Sequence, residues 1–228
     1  MYRRFIKRLL DIVLSFMALV VLSPLMAVIA VCIRLTSDGP ALFLQERIGL
    51  YGKPFRMIKF RSMVVGAEHM GAGYGMKKND PRITTVGKWL RSISLDELPQ
   101  LWNILIGDMS IVGPRPGLPY QAASYTQEQA RRLDVRPGVT GWAQIHGRNE
   151  IPWSERIRLD LWYTDNLSFA LDLSIVCRTV LIVLSRSGFR QDQLASDVED
   201  FATRSIGRSH TGSSLPKQSH TCCRDKED

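Results

Sequence analysis

Two adjacent carboxylates, Asp96 and Glu97, are the residues whose types and spacing most strongly suggest chemistry. They lie in the segment 94–100, Ser-Leu-Asp-Glu-Leu-Pro-Gln. Ser94 and Glu97 have the spacing of a helix capping box, whereas Pro99 favours a helix that begins at Pro99 itself. Both interpretations place the carboxylates at a helix N-terminus, where the backbone dipole favours anions and free N–H groups can receive phosphate. Such a pair could supply a nucleophile and a metal ligand, or could simply cap a helix.

Arginines and lysines cluster beside glycine and proline instead of along helix faces. A loop-borne arginine between prolines is pre-positioned, and its planar guanidinium suits bidentate contacts to phosphate. Single surface arginines are usually only solvated charge, but five clusters in one small domain favour a phosphate-rich site. The clusters contain Lys59 with Arg61, Arg82 after Pro81, Arg115 between Pro114 and Pro116, Arg136 before Pro137, and Arg148 after Gly147.

The bulk composition bounds the class of protein. The 228 residues suffice for one ordinary domain plus an appendage, and a 23 % charged fraction excludes a bundle of many membrane spans. A net charge of +8 favours a polyanionic partner, which means nucleic acid, anionic lipid headgroups or a phosphorylated substrate. The four cysteines form no disulfide framework, and Cys222 and Cys223 are adjacent, so a reducing compartment fits best.

The apolar segment 12–33 is long enough for a membrane helix, and its length argues against a cleaved signal peptide. Ser23 and Pro24 lie at its centre, where proline removes a backbone hydrogen bond and serine can bond to a freed carbonyl. Basic residues flank both ends, and positive charge marks the cytoplasmic side of a membrane. A helix that bends at this pair and returns to the same face satisfies both flanks, and a kinked span is the alternative.

The elements that must position the chemical groups follow from periodicity and from glycine and proline clusters. Such clusters bound short strands within 37–63, and alternation at Phe55, Met57 and Lys59 supports one of them. Beyond about residue 203 the chain lacks periodicity and is predicted to be disordered. Apolar spacing predicts two helices within 86–106 that are broken near 94–99, a short polar helix at 126–134, and helices at 153–164 and 168–184.

Several motifs accompany the acidic pair and the basic clusters. They are Ser23-Pro24; Gly39-Pro40-Ala-Leu-Phe43; 59–63, Lys-Phe-Arg-Ser-Met; 80–84, Asp-Pro-Arg-Ile-Thr; Leu90-Arg91; 94–100; 107–110, Gly-Asp-Met-Ser; 112–116, Val-Gly-Pro-Arg-Pro; 136–141, Arg-Pro-Gly-Val-Thr-Gly; and Gly147-Arg148. Together they closely resemble the monotopic phosphoglycosyl transferases, which are bacterial sugar transferases with one membrane hairpin. The resemblance covers about residues 1–190, and the tail after it matches no motif of the family.

The resemblance implies a fold that is mostly α with minor β (α+β), anchored by a re-entrant helix hairpin and by amphipathic interfacial helices. It implies a re-entrant membrane helix at 1–36 with its bend at Ser23 and Pro24, a cytoplasmic catalytic domain at 37–190, and a C-terminal extension at 191–228. The expected location is the bacterial inner membrane, with the catalytic domain on its cytoplasmic face. The expected partners are a UDP-sugar, polyprenyl (undecaprenyl) phosphate, membrane lipid and downstream glycosyltransferases, without nucleic acid.

The resemblance also assigns roles. Asp96 resembles the nucleophile, which would attack the sugar-bearing phosphorus of a UDP-sugar, release UMP and pass the sugar-1-phosphate to polyprenyl phosphate. This reaction would initiate bacterial glycan assembly. Glu97 resembles the ligand of Mg²⁺, the implied cofactor. The implied substrate-binding residues are Arg91, Arg115 with its neighbours Pro114 and Pro116, Lys59 and Arg148.

Two other classes of protein compete with this interpretation. A basic, membrane-attached nucleic-acid binder or scaffold would carry its charge on an exposed helix, whereas these arginines lie in loops around an acidic pair that would repel DNA. A multi-span transferase would need several long apolar segments, and Arg178 interrupts the only other apolar stretch, 168–184.

Overall fold

The long apolar segment forms one helix, α1 (Lys7–Thr36), in the computed structural model, which describes residues 1–70, 80–147 and 151–185. Among these residues α1 is the one helix long and apolar enough to cross a membrane. Only 11 % of its most apolar 18-residue window is buried, which distinguishes it from the core helix of a soluble domain. Arg148, a predicted substrate-binding residue, and the predicted C-terminal extension at 191–228 lie outside the described residues.

Helix α1 continues through Pro24. The predicted hydrogen bond from Ser23 to a freed carbonyl is confirmed, and the predicted return of the helix to the same membrane face stays a prediction. Pro24 has no N–H to donate to the carbonyl of Val20, four residues earlier. The Ser23 hydroxyl donates to that same Val20 oxygen at 2.8 Å, which satisfies the freed carbonyl. The helix therefore lacks one backbone hydrogen bond at this pair, but the Val20 carbonyl is still hydrogen-bonded, to the Ser23 hydroxyl.

The predicted strands between 37 and 63 form a hairpin. Strand β1 (Leu42–Ile48) pairs antiparallel with β2 (Pro54–Phe60), in a register that sets Leu42 opposite Phe60 and Ile48 opposite Pro54. Asn103 covers the other edge of β2, because its side-chain oxygen accepts from the Ile58 N–H and its amide nitrogen donates to the Arg56 carbonyl. The Asn103 amide thus pairs backbone groups on the free edge of β2 that would otherwise lack a partner strand.

The other elements pack around this hairpin, and the predicted break between two helices near 94–99 is confirmed. Strand β3 (Ser110–Val112) pairs parallel with β4 (Gly138–Thr140), two short strands that the sequence did not predict. The remaining helices are α2 (Thr85–Ser92), α3 (Gln100–Ile106), α4 (Pro119–Ala123), α5 (Gln127–Ala130), α6 (Trp142–Ile145), α7 (Trp153–Asn166) and α8 (Phe169–Ser185). The described chain is therefore mostly helical with a few short strands, as predicted.

Both ends of α1 pack against this body. Towards its C-terminal end, Ile29 and Ile33 join Phe60 of β2 and Leu90 of α2 in one buried apolar cluster. Towards its N-terminal end the contacts are polar, and the sequence missed them. Lys7, Asp11 and Ser15 are buried at four-residue spacing, which puts them on one helix face.

The N-terminal contacts use Lys7 and Arg8, two basic residues whose place beside the apolar segment had indicated only a membrane topology, and also the acidic Asp11. Lys7 forms a buried ion pair with Asp172 of α8 at 2.6 Å. Arg8 donates to the carbonyls of Ile104 and Leu105 at the C-terminal end of α3. Asp11 accepts from the Ser110 hydroxyl and the Ile111 N–H of β3. The spacing of polar residues in an apolar helix was the signal that could have revealed this docking face.

Candidate active site

Asp96 and Glu97 lie in a single 3₁₀ turn, Leu95–Glu97, which we call the acidic turn. The predicted capping box is wrong, because Ser94 has a left-handed backbone (φ 58°, ψ 21°) in place of the extended one that a cap needs, and it makes no side-chain capping bond. Pro99 is the residue immediately before α3, so the alternative that α3 begins at Pro99 misses by one residue. The two carboxylates therefore precede the helix and do not occupy its first turn.

Glu97 is held by two cations. Its carboxylate accepts from Arg115 at 2.5 Å and 3.5 Å and from the Lys59 ammonium at 3.4 Å. Burial by itself would raise the pKa of the Glu97 carboxyl, but Arg115 and then Lys59 outweigh burial and hold this pKa below its ordinary value. Glu97 is therefore a fixed anion at neutral pH.

Asp96, the next residue, has the opposite environment. It is nearly as buried as a core residue, and within the described residues its carboxylate accepts no hydrogen bond and forms no ion pair. The pKa of the Asp96 carboxyl is raised, mainly by burial and secondly by the negative charge of Glu97. The positive charges of Lys59, Arg91 and Arg115 lower this pKa but do not cancel the rise. A carboxylate that is poorly solvated and unpaired is more reactive towards an electrophile than one held by partners.

Lys59, Arg91 and Arg115 converge on this pair, from β2, the last turn of α2 and the loop after β3. Their predicted contact with substrate stays a prediction. Burial lowers the pKa of the Lys59 ammonium to about 8. Arg91 acts on both carboxylates through its charge and donates to the Ser62 hydroxyl at 3.5 Å. Three cations around two anions leave a net positive site, which favours an anionic ligand.

Pro114 and Pro116 flank Arg115 in the segment 113–117, which we call the proline-arginine loop. Their carbonyls are used inside the protein, because Pro114 accepts from the Gly138 N–H and Pro116 accepts from Arg47. The structure gives both prolines a role in the shape of the loop, and their predicted contact with substrate stays a prediction.

Arginines of three of the other clusters hold loops together, in addition to the phosphate-rich site that the clusters favour as a group. Arg82 pairs with Asp80 at 2.6 Å and donates to two backbone carbonyls. Arg61 donates to the carbonyls of Ser37 and Asp38. Arg136 donates to the Gly107 carbonyl. Guanidinium groups satisfy several backbone oxygens at once, and loops rich in glycine and proline leave such oxygens unpaired, so the same residue pattern serves two purposes.

The donor set at the site suits a Mg²⁺ ion that is shared with a substrate. Mg²⁺ in phosphate-transfer sites is held by one or two carboxylates together with phosphate oxygens and water. The acidic turn offers two carboxylates, and no group of three or more acidic, histidine or cysteine ligands occurs in 1–70, 80–147 or 151–185. The residues therefore fit a metal that binds together with a phosphorylated ligand.

The sequence matches the model of the bacterial sugar transferase family over residues 2–186. It is 45 % identical to the uncharacterized sugar transferase EpsL of Bacillus subtilis over 186 residues, which are 82 % of this chain and 91 % of that protein. Both the acidic turn and the proline-arginine loop lie within the residues that the family model matches.

Longer relatives carry more specific names. The chain is 47 % identical over 182 residues to a UDP-glucose:undecaprenyl-phosphate glucose-1-phosphate transferase of Klebsiella pneumoniae. It is 42 % identical over 200 residues to an undecaprenyl-phosphate galactose phosphotransferase of Salmonella typhimurium. These matches cover 76 % and 81 % of this chain but 39 % and 42 % of the two relatives, so the chain spans less than half of their length. The match to the family model extends over most of the sequence, and the chain belongs to the bacterial sugar transferase family.

Proposed function

We propose that this protein transfers a sugar-1-phosphate from a UDP-sugar to polyprenyl phosphate and releases UMP. The observation that carries the proposal is the contrast within the acidic turn. Two cations hold Glu97, whereas the Asp96 carboxylate has no hydrogen bond or ion pair within 1–70, 80–147 and 151–185. The names of the longer relatives, which refer to undecaprenyl phosphate and to sugar phosphates, support the same reaction.

The reaction we infer has two steps. In the first, an Asp96 oxygen attacks the phosphorus that bears the sugar, the bond from this phosphorus to the oxygen of UMP breaks, and UMP leaves with the bonding electrons. In the second, a phosphate oxygen of the lipid attacks the same phosphorus, and the bond to Asp96 breaks. The product is a polyprenyl diphosphate sugar, and Asp96 is restored as a carboxylate.

The surrounding residues orient the donor. Arg115 and Arg91 present guanidinium groups that suit phosphate oxygens, and Lys59 adds a third positive charge. Mg²⁺, held by Glu97 and the diphosphate, would neutralise negative charge on the donor and on departing UMP. Glu97 is pre-placed for that contact because Arg115 and Lys59 fix its carboxylate.

A UMP-release assay tests the proposal. Purified protein in detergent or nanodiscs is incubated with Mg²⁺, undecaprenyl phosphate and a panel of UDP-sugars. We expect UMP and a lipid-linked sugar diphosphate with at least one sugar of the panel. The absence of UMP with every sugar, from protein that is folded by circular dichroism, would contradict the proposal.

We further propose where the lipid acceptor binds. A groove of about 490 Å³ lies between the second half of α1 and the start of β1. Its walls are apolar, which suits an isoprenoid chain, and Arg34 supplies a positive charge for a phosphate. Phe60, at the end of β2, lines the groove and is the residue after Lys59 in the sequence. Its lining includes Met26, Ala30, Arg34, Pro40, Leu42 and Phe60.

Ala30→Trp tests this placement because the new side chain would fill the groove. We expect the KM for polyprenyl phosphate to rise roughly 10-fold, or about 1.4 kcal/mol of binding, with the KM for the UDP-sugar unchanged. Val31→Trp is the matched control, since Val31 is exposed on the same helix one residue away. Equal KM values for the lipid in the two variants would contradict the placement.

We also propose that α1 enters the membrane and returns to the same, cytoplasmic face, and that α8 lies along the interface. Thirty helical residues would extend about 45 Å if straight, more than the roughly 30 Å hydrocarbon core. Yet Arg8 near one end and Ile33 near the other both contact the catalytic body. A complete span would separate these ends by the thickness of the bilayer. Phe169 and Leu173 of α8 are exposed four residues apart, as expected for a face that meets lipid.

Cysteine labelling tests this topology. Arg4→Cys and Asp38→Cys are made separately in a chain that lacks the native cysteines. We expect an impermeant reagent to label both positions from the cytoplasmic side. Periplasmic labelling of position 4 alone would show a true span. Replacing Ser23 by Leu and Pro24 by Ala together should straighten the helix and move position 4 to the periplasm.

A further inference from the structure

The proline-arginine loop is tethered at each of its five residues. The tethers come from β1, β4 and Arg132, so the backbone of the loop has little freedom to move. The Gly113 N–H donates to Thr140, and the carbonyls of 114–117 accept in turn from the Gly138 N–H, Arg132, Arg47 and the Ile48 N–H, at 2.8 to 3.1 Å.

The tether on Arg115 comes from a buried side chain. Arg132 is only 4 % exposed, and its Nη2 donates to the Arg115 carbonyl at 2.9 Å. The same guanidinium forms a buried ion pair with Asp160 of α7 and donates to the Tyr125 hydroxyl at 2.6 Å. It also lies over the ring of Trp153, 5.7 Å from the ring centre. These contacts leave Arg132 a single position.

We propose that Arg132, held by Asp160, is a positioning residue for the sugar-phosphate transfer. By fixing the backbone of Arg115, it sets the direction of the Arg115 guanidinium towards Glu97 and the donor phosphates. Arg132 itself touches no reacting group. This inference rests on the proposed function, because it assigns a role to a residue behind the proposed site.

Arg131 provides a matched control. It is the neighbour of Arg132, it also pairs with an aspartate of α7, Asp165, and both side chains are about half exposed. It therefore has the same residue type and the same partner helix without a contact to Arg115. A general effect of removing an arginine–aspartate pair between these elements would appear in both positions.

The variant that isolates the tether is Arg132→Lys. Lysine keeps a positive charge for Asp160, so the buried carboxylate stays paired and the protein can fold. A single ammonium cannot reproduce the planar fork that reaches Asp160, Tyr125 and the Arg115 carbonyl together. We expect kcat for UMP release to fall about 10- to 100-fold, as for a misplaced catalytic group. Arg131→Lys should keep the wild-type rate.

A double-mutant cycle distinguishes positioning from general stability. In an Arg115→Ala background the substitution Arg132→Lys should change kcat less than about twofold, because its target is gone. A loss of equal size with and without the Arg115 side chain would overturn the inference, as would a wild-type rate in Arg132→Lys.

Hydrogen exchange gives a readout that does not depend on activity. The amides of Gly113 and Gly138, whose hydrogen bonds join the loop to β4, should exchange about 10-fold faster in Arg132→Lys than in Arg131→Lys or in the wild type. If the wild type releases no UMP, the proposed function fails, and unchanged exchange in the loop would still overturn this inference separately.

Discussion

The acidic turn and the proline-arginine loop meet at Glu97, and the protein holds them in opposite ways. The loop is tethered at every residue through its backbone, and the Arg115 side chain is the part of the loop that contacts the acidic turn. In the acidic turn, Glu97 is fixed through its side chain. The Asp96 carboxylate next to it has no partner among the described residues.

This difference shows how one small site can supply both a rigid charged clamp and a reactive group. A clamp must be rigid, since its value lies in orienting charge before the substrate arrives. A nucleophile must keep a free electron pair, since each hydrogen bond to a carboxylate reduces its reactivity. The contrast predicts that substitutions have very unequal effects, which depend on whether a group reacts, binds or shapes backbone.

The largest expected effect is at Asp96. Asp96→Asn keeps the shape of the side chain and removes the anionic oxygen, so we expect UMP release to fall roughly 10⁴-fold. Steady-state kinetics with a saturating UDP-sugar measure this fall. Asp165→Asn, at an exposed carboxylate, should leave the rate unchanged. If the activity of Asp96→Asn stayed within about tenfold of wild type, Asp96 would not be the reactive carboxylate and the contrast with Glu97 would be wrong.

A smaller loss is expected at Glu97. Glu97→Gln removes the charge that holds Arg115 and Lys59 and that would bind Mg²⁺, so we expect kcat to fall about 10²-fold. EDTA should abolish the activity of the wild type, and added Mg²⁺ should restore it. The concentration of Mg²⁺ needed for half-maximal rate should rise in Glu97→Gln. Full activity in EDTA, or an unshifted Mg²⁺ titration, would argue against a metal at this turn.

The smallest effect is expected at Pro116. Because Arg47 holds the Pro116 carbonyl independently, Pro116→Ala should mainly add freedom to the unfolded chain and cost about 0.4–1 kcal/mol of stability. We expect kcat to change by less than about threefold, and the melting temperature to fall because of the lost stability. Gly113→Ala is the contrasting variant, since its Cβ would lie 2.3 Å from the Arg136 carbonyl and displace the loop. A large kcat loss in Pro116→Ala would show that this proline contacts substrate.

Local patterns in the sequence sufficed for the hairpin, the main helices and the residues that converge on the acidic turn. Their signals are periodicity, turn residues and a resemblance carried by contiguous motifs. The Ser23 contact to Val20 also followed, because it depends on residues three apart. Contacts between distant segments were not predictable, among them the pairing of β3 with β4, the docking of Lys7 on Asp172, and Arg132 behind Arg115.

The errors have physical reasons. The capping box failed because a local spacing rule does not reveal that Ser94 takes a left-handed backbone. The arginine clusters favoured a phosphate-rich site but did not show which arginines form it. A guanidinium beside glycine and proline serves equally well to satisfy backbone carbonyls, as Arg61 and Arg82 do. In both cases the residue type was informative, and only the fold distinguished the two uses.

The most direct test of the account is to trap the covalent intermediate. The wild type is mixed with Mg²⁺ and its UDP-sugar without polyprenyl phosphate, quenched within milliseconds to seconds, and measured by intact-protein mass spectrometry. We predict a mass increase equal to one sugar phosphate, mapped by fragmentation to Asp96, absent from Asp96→Asn and discharged when polyprenyl phosphate is added. Turnover by the wild type without any adduct, or an adduct that persists in Asp96→Asn, would contradict the account.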